Sequence, residues 1–124
     1  MKFQKDTSFV TGRLKSLKYA FNGAIKLITT EHSVMVQFSL AIALQFAGFY
    51  FKIDRTEWMF QTLALGLVLS IEGLNTAVEK VADFIHPDFN NKIGFIKDIA
   101  AGAVFFAALT ALAIGFIIYI PKFI

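Results

Sequence analysis

The sequence predicts an all-α membrane protein, with an amino-terminal amphipathic helix at the membrane interface followed by three transmembrane helices. Hydrophobic residues make up 56% of the 124 positions, and the mean hydropathy of +0.63 is too high for an ordinary soluble domain. Three long stretches are predominantly apolar, and each reaches about the length that crosses a bilayer. We therefore interpret residues 1–124 as one membrane domain.

The composition also excludes several kinds of site. The chain has no cysteine, so it has neither disulfides nor thiolate metal sites, and no cysteine nucleophile. Its net charge is +3 and its pI is about 9.3, but the cations gather near the ends of the apolar stretches. This placement indicates a role in membrane topology, and we expect no nucleic-acid partner.

Residues 1–31 form the predicted interfacial helix. Their apolar residues recur at spacings of three and four, opposite a basic side. The basic residues are Lys2, Lys5, Arg13, Lys15, Lys18 and Lys26. Such a helix lies in the interface plane, where an anionic membrane surface attracts its cations. A signal peptide is the competing interpretation, but the segment lacks a compact apolar core followed by a small-residue cleavage site.

The three predicted transmembrane helices cover residues 33–52, 57–85 and 98–120. A short charged turn separates the first two, and we expect a polar connection over residues 86–98 before the third. Ser39 and Gln45 lie inside the first span. We expect both to form hydrogen bonds to neighbouring helices, as polar residues in such helices commonly do.

The distribution of Lys and Arg predicts the orientation. The amino-terminal segment is rich in cations, and Lys80, Lys92 and Lys97 surround the second connection, whereas the first turn carries only Lys52 and Arg55. By the positive-inside rule, the amino terminus and the second connection are cytoplasmic.

An acidic stripe stands in the second half of the second span. Glu72, Asn75, Glu79 and Asp83 lie at offsets of 0, 3, 7 and 11, which places all four on one side of a helix. We expect Glu72 to be the most buried and Asp83 the least. The stripe is either the hydrated end of a helix leaving the bilayer or, because acids within a membrane are costly, part of a functional site.

The cytoplasmic end of the predicted bundle holds the groups that phosphoryl transfer requires. Glu31, the stripe, Lys97 and Asp98 all fall in this layer. Carboxylates bind Mg²⁺ together with substrate phosphates, a lysine neutralises phosphate oxygens, and a further carboxylate can accept the proton of an acceptor hydroxyl. The sequence has no P-loop and no Gly-rich kinase loop.

The pattern Glu72-x-x-Asn75-Thr-Ala-Val-Glu79-x-x-x-Asp83, followed by Lys97-Asp98, resembles the prokaryotic diacylglycerol kinase family. Members of this family are small three-span membrane enzymes that form homotrimers. The resemblance covers nearly the whole chain and departs from the family at Met35 and Gln37.

The resemblance implies an ATP- and Mg²⁺-dependent lipid kinase in the bacterial inner membrane, with sites shared between the subunits of a homotrimer. Glu72 would be the general base, and Glu31 and Glu79 would bind the metal. The residues implied to contact the nucleotide or its phosphates are Asn75, Lys97 and Asp98.

The acceptor implied by the resemblance is diacylglycerol or undecaprenol. The run Lys97-Asp-Ile-Ala-Ala-Gly-Ala and the terminal Ile-Pro-Lys are more similar to the undecaprenol-phosphorylating members. Two alternatives come from other classes of protein. One is a small helical channel or proton-coupled transporter that uses the intramembrane acids, and the other is a structural membrane protein.

Overall fold

The computed structural model describes residues 9–124, which form four α-helices. The helices are α1 (Phe9–Thr30), α2 (His32–Tyr50), α3 (Arg55–Ile85) and α4 (Asn91–Phe123). Helices α2, α3 and α4 are each long and apolar enough to cross a membrane. The prediction of an all-α protein with three membrane-spanning helices is confirmed.

Helix α1 buries none of its residues within the chain. Its apolar side, which includes Phe9, Leu17 and Phe21, is exposed, as expected of a helix whose apolar face contacts something other than the protein core. Lys2 and Lys5, which were also assigned to this helix, lie outside the described residues.

Helices α2 and α3 are joined by a tight turn with a specific helix cap. The Asp54 side chain accepts a hydrogen bond from the Glu57 backbone N–H at 2.8 Å, and the Glu57 carboxylate accepts one from the Asp54 N–H at 3.0 Å. This capping box satisfies backbone donors that a helix start leaves unpaired. It explains why α3 begins at Arg55, before the apolar run itself.

A buried polar cluster joins the three spans at the same end of the bundle. Gln61, which is only 4% exposed, donates from Nε2 to the Leu44 carbonyl at 3.0 Å and to Gln45 Oε1 at 3.1 Å. Its Oε1 accepts a hydrogen bond from the Tyr119 hydroxyl at 2.5 Å. Because buried polar groups need such partners, the cluster fixes the register of α2, α3 and α4.

The cluster tests the roles predicted for the polar residues of the first span. Gln45 bonds to α3 as expected. Ser39 makes no such bond within the described residues, because its hydroxyl donates to the Met35 carbonyl of its own helix at 2.9 Å. A serine inside a helix can satisfy its donor locally in this way, without a neighbouring helix.

The connection between α3 and α4 is shorter than the predicted polar segment of residues 86–98. Helix α4 begins at Asn91, because the Asn90 side chain accepts from the backbone N–H groups of Lys92 and Ile93 at 2.8 and 3.4 Å. Lys97 and Asp98 are therefore helical. The charges of this segment mark where the apolar span ends, whereas the cap decides where the helix begins.

At Gly48 the α2 backbone lies close to the Trp58 side chain of α3. A Cβ atom at this position would lie 2.6 Å from Cη2 and 2.8 Å from Cζ2 of Trp58. The missing side chain therefore lets the indole ring pack directly against the α2 backbone, with Phe49 4.9 Å away between ring centroids.

We expect Gly48→Ala to lower the free energy of unfolding by about 1–3 kcal/mol, because the added methyl overpacks the contact with Trp58. Gly66→Ala is the matched control, since nothing lies within 4 Å of a Cβ there. Unfolding in mixed micelles with increasing SDS would measure both. Adding Trp58→Leu should recover part of the loss in Gly48→Ala, and equal stability of the two alanine variants would contradict the overpacking.

Candidate active site

The acidic stripe of α3 runs from the interior of the bundle to its surface. Glu72 is buried with 6% exposure, Asn75 is half-buried, and Glu79 and Asp83 are exposed. The prediction that Glu72 is the most buried of the four is confirmed, and Glu79 and Asp83 are both exposed.

Glu72 is a buried carboxylate with an unused hydrogen-bonding capacity. Across residues 9–124, no hydrogen bond or ion pair engages its side chain. A buried acid without a partner destabilises the folded state. Folding therefore does not explain why this residue is present. Its carboxylate is free to accept a proton or a hydrogen bond from a bound molecule.

Asn75 and Glu79 form a pair one turn further along α3. Asn75 Nδ2 donates to Glu79 Oε1 at 2.7 Å, and this bond orients the carboxylate. Asn75 Oδ1 is buried and has no hydrogen-bond partner in the described part of the chain. The amide therefore presents an open acceptor beside a carboxylate, which a donor from a ligand or another subunit could fill.

Glu31 lies at the break between α1 and α2, where its backbone is extended with φ −105° and ψ 115°. Its Oε2 is 3.5 Å from Lys80 Nζ and accepts a hydrogen bond from the Thr30 hydroxyl at 3.2 Å. The pairing with Lys80 brings the α1–α2 junction to α3 beside Glu79. Two of the predicted site residues thus lie at the same end of the fold.

An open cleft of about 620 Å³ lies between α1 and α3 beside these residues. Its lining includes Lys26, Glu31, Gly73, Thr76 and Lys80. At Gly73 α1 approaches α3 closely, because a Cβ atom there would lie 3.1 Å from Leu27 Cδ1, which is tighter than an ordinary contact. Thr76, which is buried and follows Glu72 by about one turn, lines the cleft, whereas Glu72 itself does not.

Lys97 reaches the stripe from α4. Its Nζ donates to Asp83 Oδ1 at 2.5 Å, in a pair that joins α3 and α4. Asp98 is exposed, and within the described residues its side chain makes no hydrogen bond or ion pair. The structure thus joins Lys97 to the stripe through Asp83 and shows no such bond for Asp98.

Lys80 lines the cleft and pairs with Glu31, which the sequence did not reveal. Its cation indicated only membrane topology, since it belongs to no recognisable motif. Its partner Glu31 is distant in sequence and is on another helix junction. No local pattern reports a contact of this kind.

A family model described as prokaryotic diacylglycerol kinase matches residues 18–119. The chain belongs to the prokaryotic diacylglycerol kinase family. The matched segment contains every candidate site residue from Glu31 to Asp98.

The chain is similar over most of its length to two named members of the family. It is 34% identical to the undecaprenol kinase of Bacillus subtilis (strain 168) over 108 residues, which are 87% of this chain and 88% of that protein. It is 28% identical to the diacylglycerol kinase of Synechocystis sp. (strain ATCC 27184 / PCC 6803 / Kazusa) over 109 residues, which are 87% of this chain and 62% of that protein. Family membership and both names indicate a lipid kinase, a transferase.

The membership also decides between the classes of function that the sequence left open. A channel or transporter predicts acids along the whole depth of the membrane, yet α3 carries no charged residue between Glu57 and Glu72. At the other end, Glu57 pairs with Lys122 at 3.1 Å. Glu72, Glu79 and Asp83 therefore lie in the second half of α3, apart from Glu57.

Proposed function

We propose that the protein transfers the γ-phosphoryl group of ATP to the primary hydroxyl of a membrane lipid alcohol, in a Mg²⁺-dependent reaction. The observation that supports this most is the buried residue Glu72, whose carboxylate makes no hydrogen bond or ion pair among the described residues. A general base needs an oxygen that is free to take the hydroxyl proton, and this supports Glu72 in that role.

Glu72 accepts the hydroxyl proton as the acceptor oxygen forms its bond to the γ-phosphorus. The bond from that phosphorus to the bridging oxygen breaks, and ADP leaves. Lys97 neutralises phosphate oxygens after exchanging its Asp83 partner for the nucleotide, and Asp98 contacts the nucleotide. Asn75 accepts a hydrogen bond through its open Oδ1 and keeps Glu79 oriented.

Glu31 and Glu79 are the residues that would hold Mg²⁺. Among the described residues, no three His, Asp or Glu side chains converge on one point. A pair of carboxylates fits Mg²⁺, which is commonly bound by one or two carboxylates together with substrate phosphates and water. When bound, the ion supplies charge neutralisation on the phosphates.

We propose undecaprenol as the preferred acceptor and diacylglycerol as the alternative. The similarity to the Bacillus subtilis undecaprenol kinase, which has nearly the same length, supports this choice. Both acceptors are lipid alcohols with long apolar tails, and the exposed apolar side chains on all four helices allow a tail to reach the site from the bilayer.

We further propose a homotrimer in the bacterial inner membrane, with the site on the cytoplasmic side and α1 on the anionic membrane surface. The cations of α1 and of the α3–α4 connection support this orientation. The buried, unpartnered Oδ1 of Asn75 and Oε1 of Gln37 support a contribution from another subunit, because buried acceptors usually have a donor.

Transfer of labelled γ-phosphate in mixed micelles tests the function. Undecaprenol and diacylglycerol are supplied side by side with Mg²⁺, and we expect faster transfer to undecaprenol. EDTA should stop the reaction and excess Mg²⁺ should restore it. Absence of transfer to either lipid, from protein shown to be assembled, would refute the proposal, whereas faster transfer to diacylglycerol would refute only the choice of acceptor.

A further inference from the structure

The contact between Glu31 and Lys80 has a direct bearing on metal binding. Lys80 Nζ lies 3.5 Å from Glu31 Oε2, and the same oxygen accepts the Thr30 hydroxyl hydrogen bond. The Glu31 side chain is 23% exposed, whereas the Lys80 side chain is 67% exposed. A proposed metal ligand is thus already paired with a cation that reaches it from the solvent side.

We propose that Lys80 is an internal counter-ion, which holds Glu31 in the metal-free state and is displaced when a divalent cation binds. This rests on the proposed function, in which Glu31 and Glu79 hold the metal. Lys80 is a positioning residue here, because it acts on Glu31 and not on the reacting atoms.

The energetics of the pair favour exchange over a permanent link. An ion pair whose lysine is mostly exposed contributes little to stability, because water screens it and the long side chain loses freedom. A divalent ion carries twice the charge and accepts carboxylate oxygens directly, so it competes effectively for Oε2. The Lys80 ammonium can return to water on its flexible side chain without becoming buried.

The pair also compensates charge when no metal is bound. Glu31 lines the α1–α3 cleft together with Lys80, whereas Glu79 is bonded to Asn75 on the stripe. The ammonium therefore balances the Glu31 carboxylate until a divalent cation replaces it.

The proposal predicts that loss of the Lys80 charge tightens metal binding. In the absence of nucleotide, we expect Lys80→Met to bind Mn²⁺ about two- to fivefold more tightly than the wild type does. This range corresponds to the free energy that an exposed ion pair typically contributes. Methionine keeps an unbranched apolar side chain and removes the charge. Lys80→Arg keeps the charge and should retain wild-type affinity.

The measurement is a Mn²⁺ titration of the assembled protein in detergent micelles, in which the electron paramagnetic resonance signal reports the free ion. Lys92→Met is the matched control, because Lys92 is an exposed lysine near the same end of the bundle, outside the cleft. Equal or weaker binding by Lys80→Met, including no detectable binding by either protein, would overturn the proposal. The same gain in Lys92→Met would also overturn it.

A double mutant locates the effect at Glu31. In a Glu31→Gln background, Lys80→Met should no longer tighten Mn²⁺ binding, because the competing carboxylate has lost its charge. A persistent gain would overturn the pairing as its cause. Phosphoryl transfer by the wild type separates the two proposals. If the wild type is active and Lys80→Met does not change Mn²⁺ affinity, only the counter-ion role is refuted. If the assembled wild type is inactive, the kinase function is refuted.

Discussion

Replacing Glu72 with glutamine is expected to lower kcat for phosphoryl transfer by about 10²–10⁴-fold, which is the contribution of a positioned general base. Glutamine has nearly the same shape as glutamate and cannot accept the hydroxyl proton. The substitution therefore removes the proposed chemistry and changes little in the packing of α3. Transfer of γ-phosphate to undecaprenol, measured on assembled protein, gives the result.

The stability of the same variant provides a second observation. Glu72 makes no hydrogen bond or ion pair among the described residues, so the substitution removes no interaction within the chain. We expect Glu72→Gln to unfold at the same SDS concentration as the wild type or at a higher one. A variant that is inactive because it is misfolded would instead show lower stability.

Glu57→Gln is the matched control, because it makes the same change on the same helix at the opposite end of the bundle. Glutamine can replace glutamate in the capping box with Asp54. The substitution weakens the half-buried ion pair with Lys122, but this pair lies far from the stripe, so any loss of stability is measured separately by SDS unfolding. This variant should keep most of the activity. Near-normal turnover by Glu72→Gln would remove Glu72 as the general base.

Replacing Glu79 with glutamine is expected to raise the Mg²⁺ concentration for half-maximal transfer by at least about tenfold. Loss of groups that only support a metal ligand already costs about 10–100-fold in affinity, and Glu79 is proposed as a ligand itself. Glutamine keeps a carbonyl oxygen that can accept from Asn75 Nδ2, so the variant isolates the charge.

The measurement is the rate of transfer as a function of Mg²⁺ at saturating ATP. Asp88→Asn serves as the control, because Asp88 is an exposed acid in the nearby connection and is no proposed ligand. An unchanged Mg²⁺ requirement in Glu79→Gln would count against the ligand role. An equal rise in both variants would indicate a general effect of surface charge.

Sequence patterns predicted the helices better than their ends. Apolar length indicates where a chain crosses the membrane, and this identified the three spans. The starts of α3 and α4 instead depend on the caps at Asp54 and Asn90, which lie in charged or polar segments outside the apolar runs. Apolarity and capping are separate physical signals. Apolarity predicts where the spans lie, and capping sets where the helices begin.

The sequence by itself determined the acidic stripe and its gradient of burial, because helical periodicity is local and the stripe continues an apolar span. Only the tertiary structure decided that Glu31 meets Lys80, that Asp83 meets Lys97, and that Gln61 joins three helices. These contacts depend on how far each helix slides and rotates against its neighbours. Those quantities are set by packing, such as the contact of Gly48 with Trp58, and no spacing within one helix encodes them.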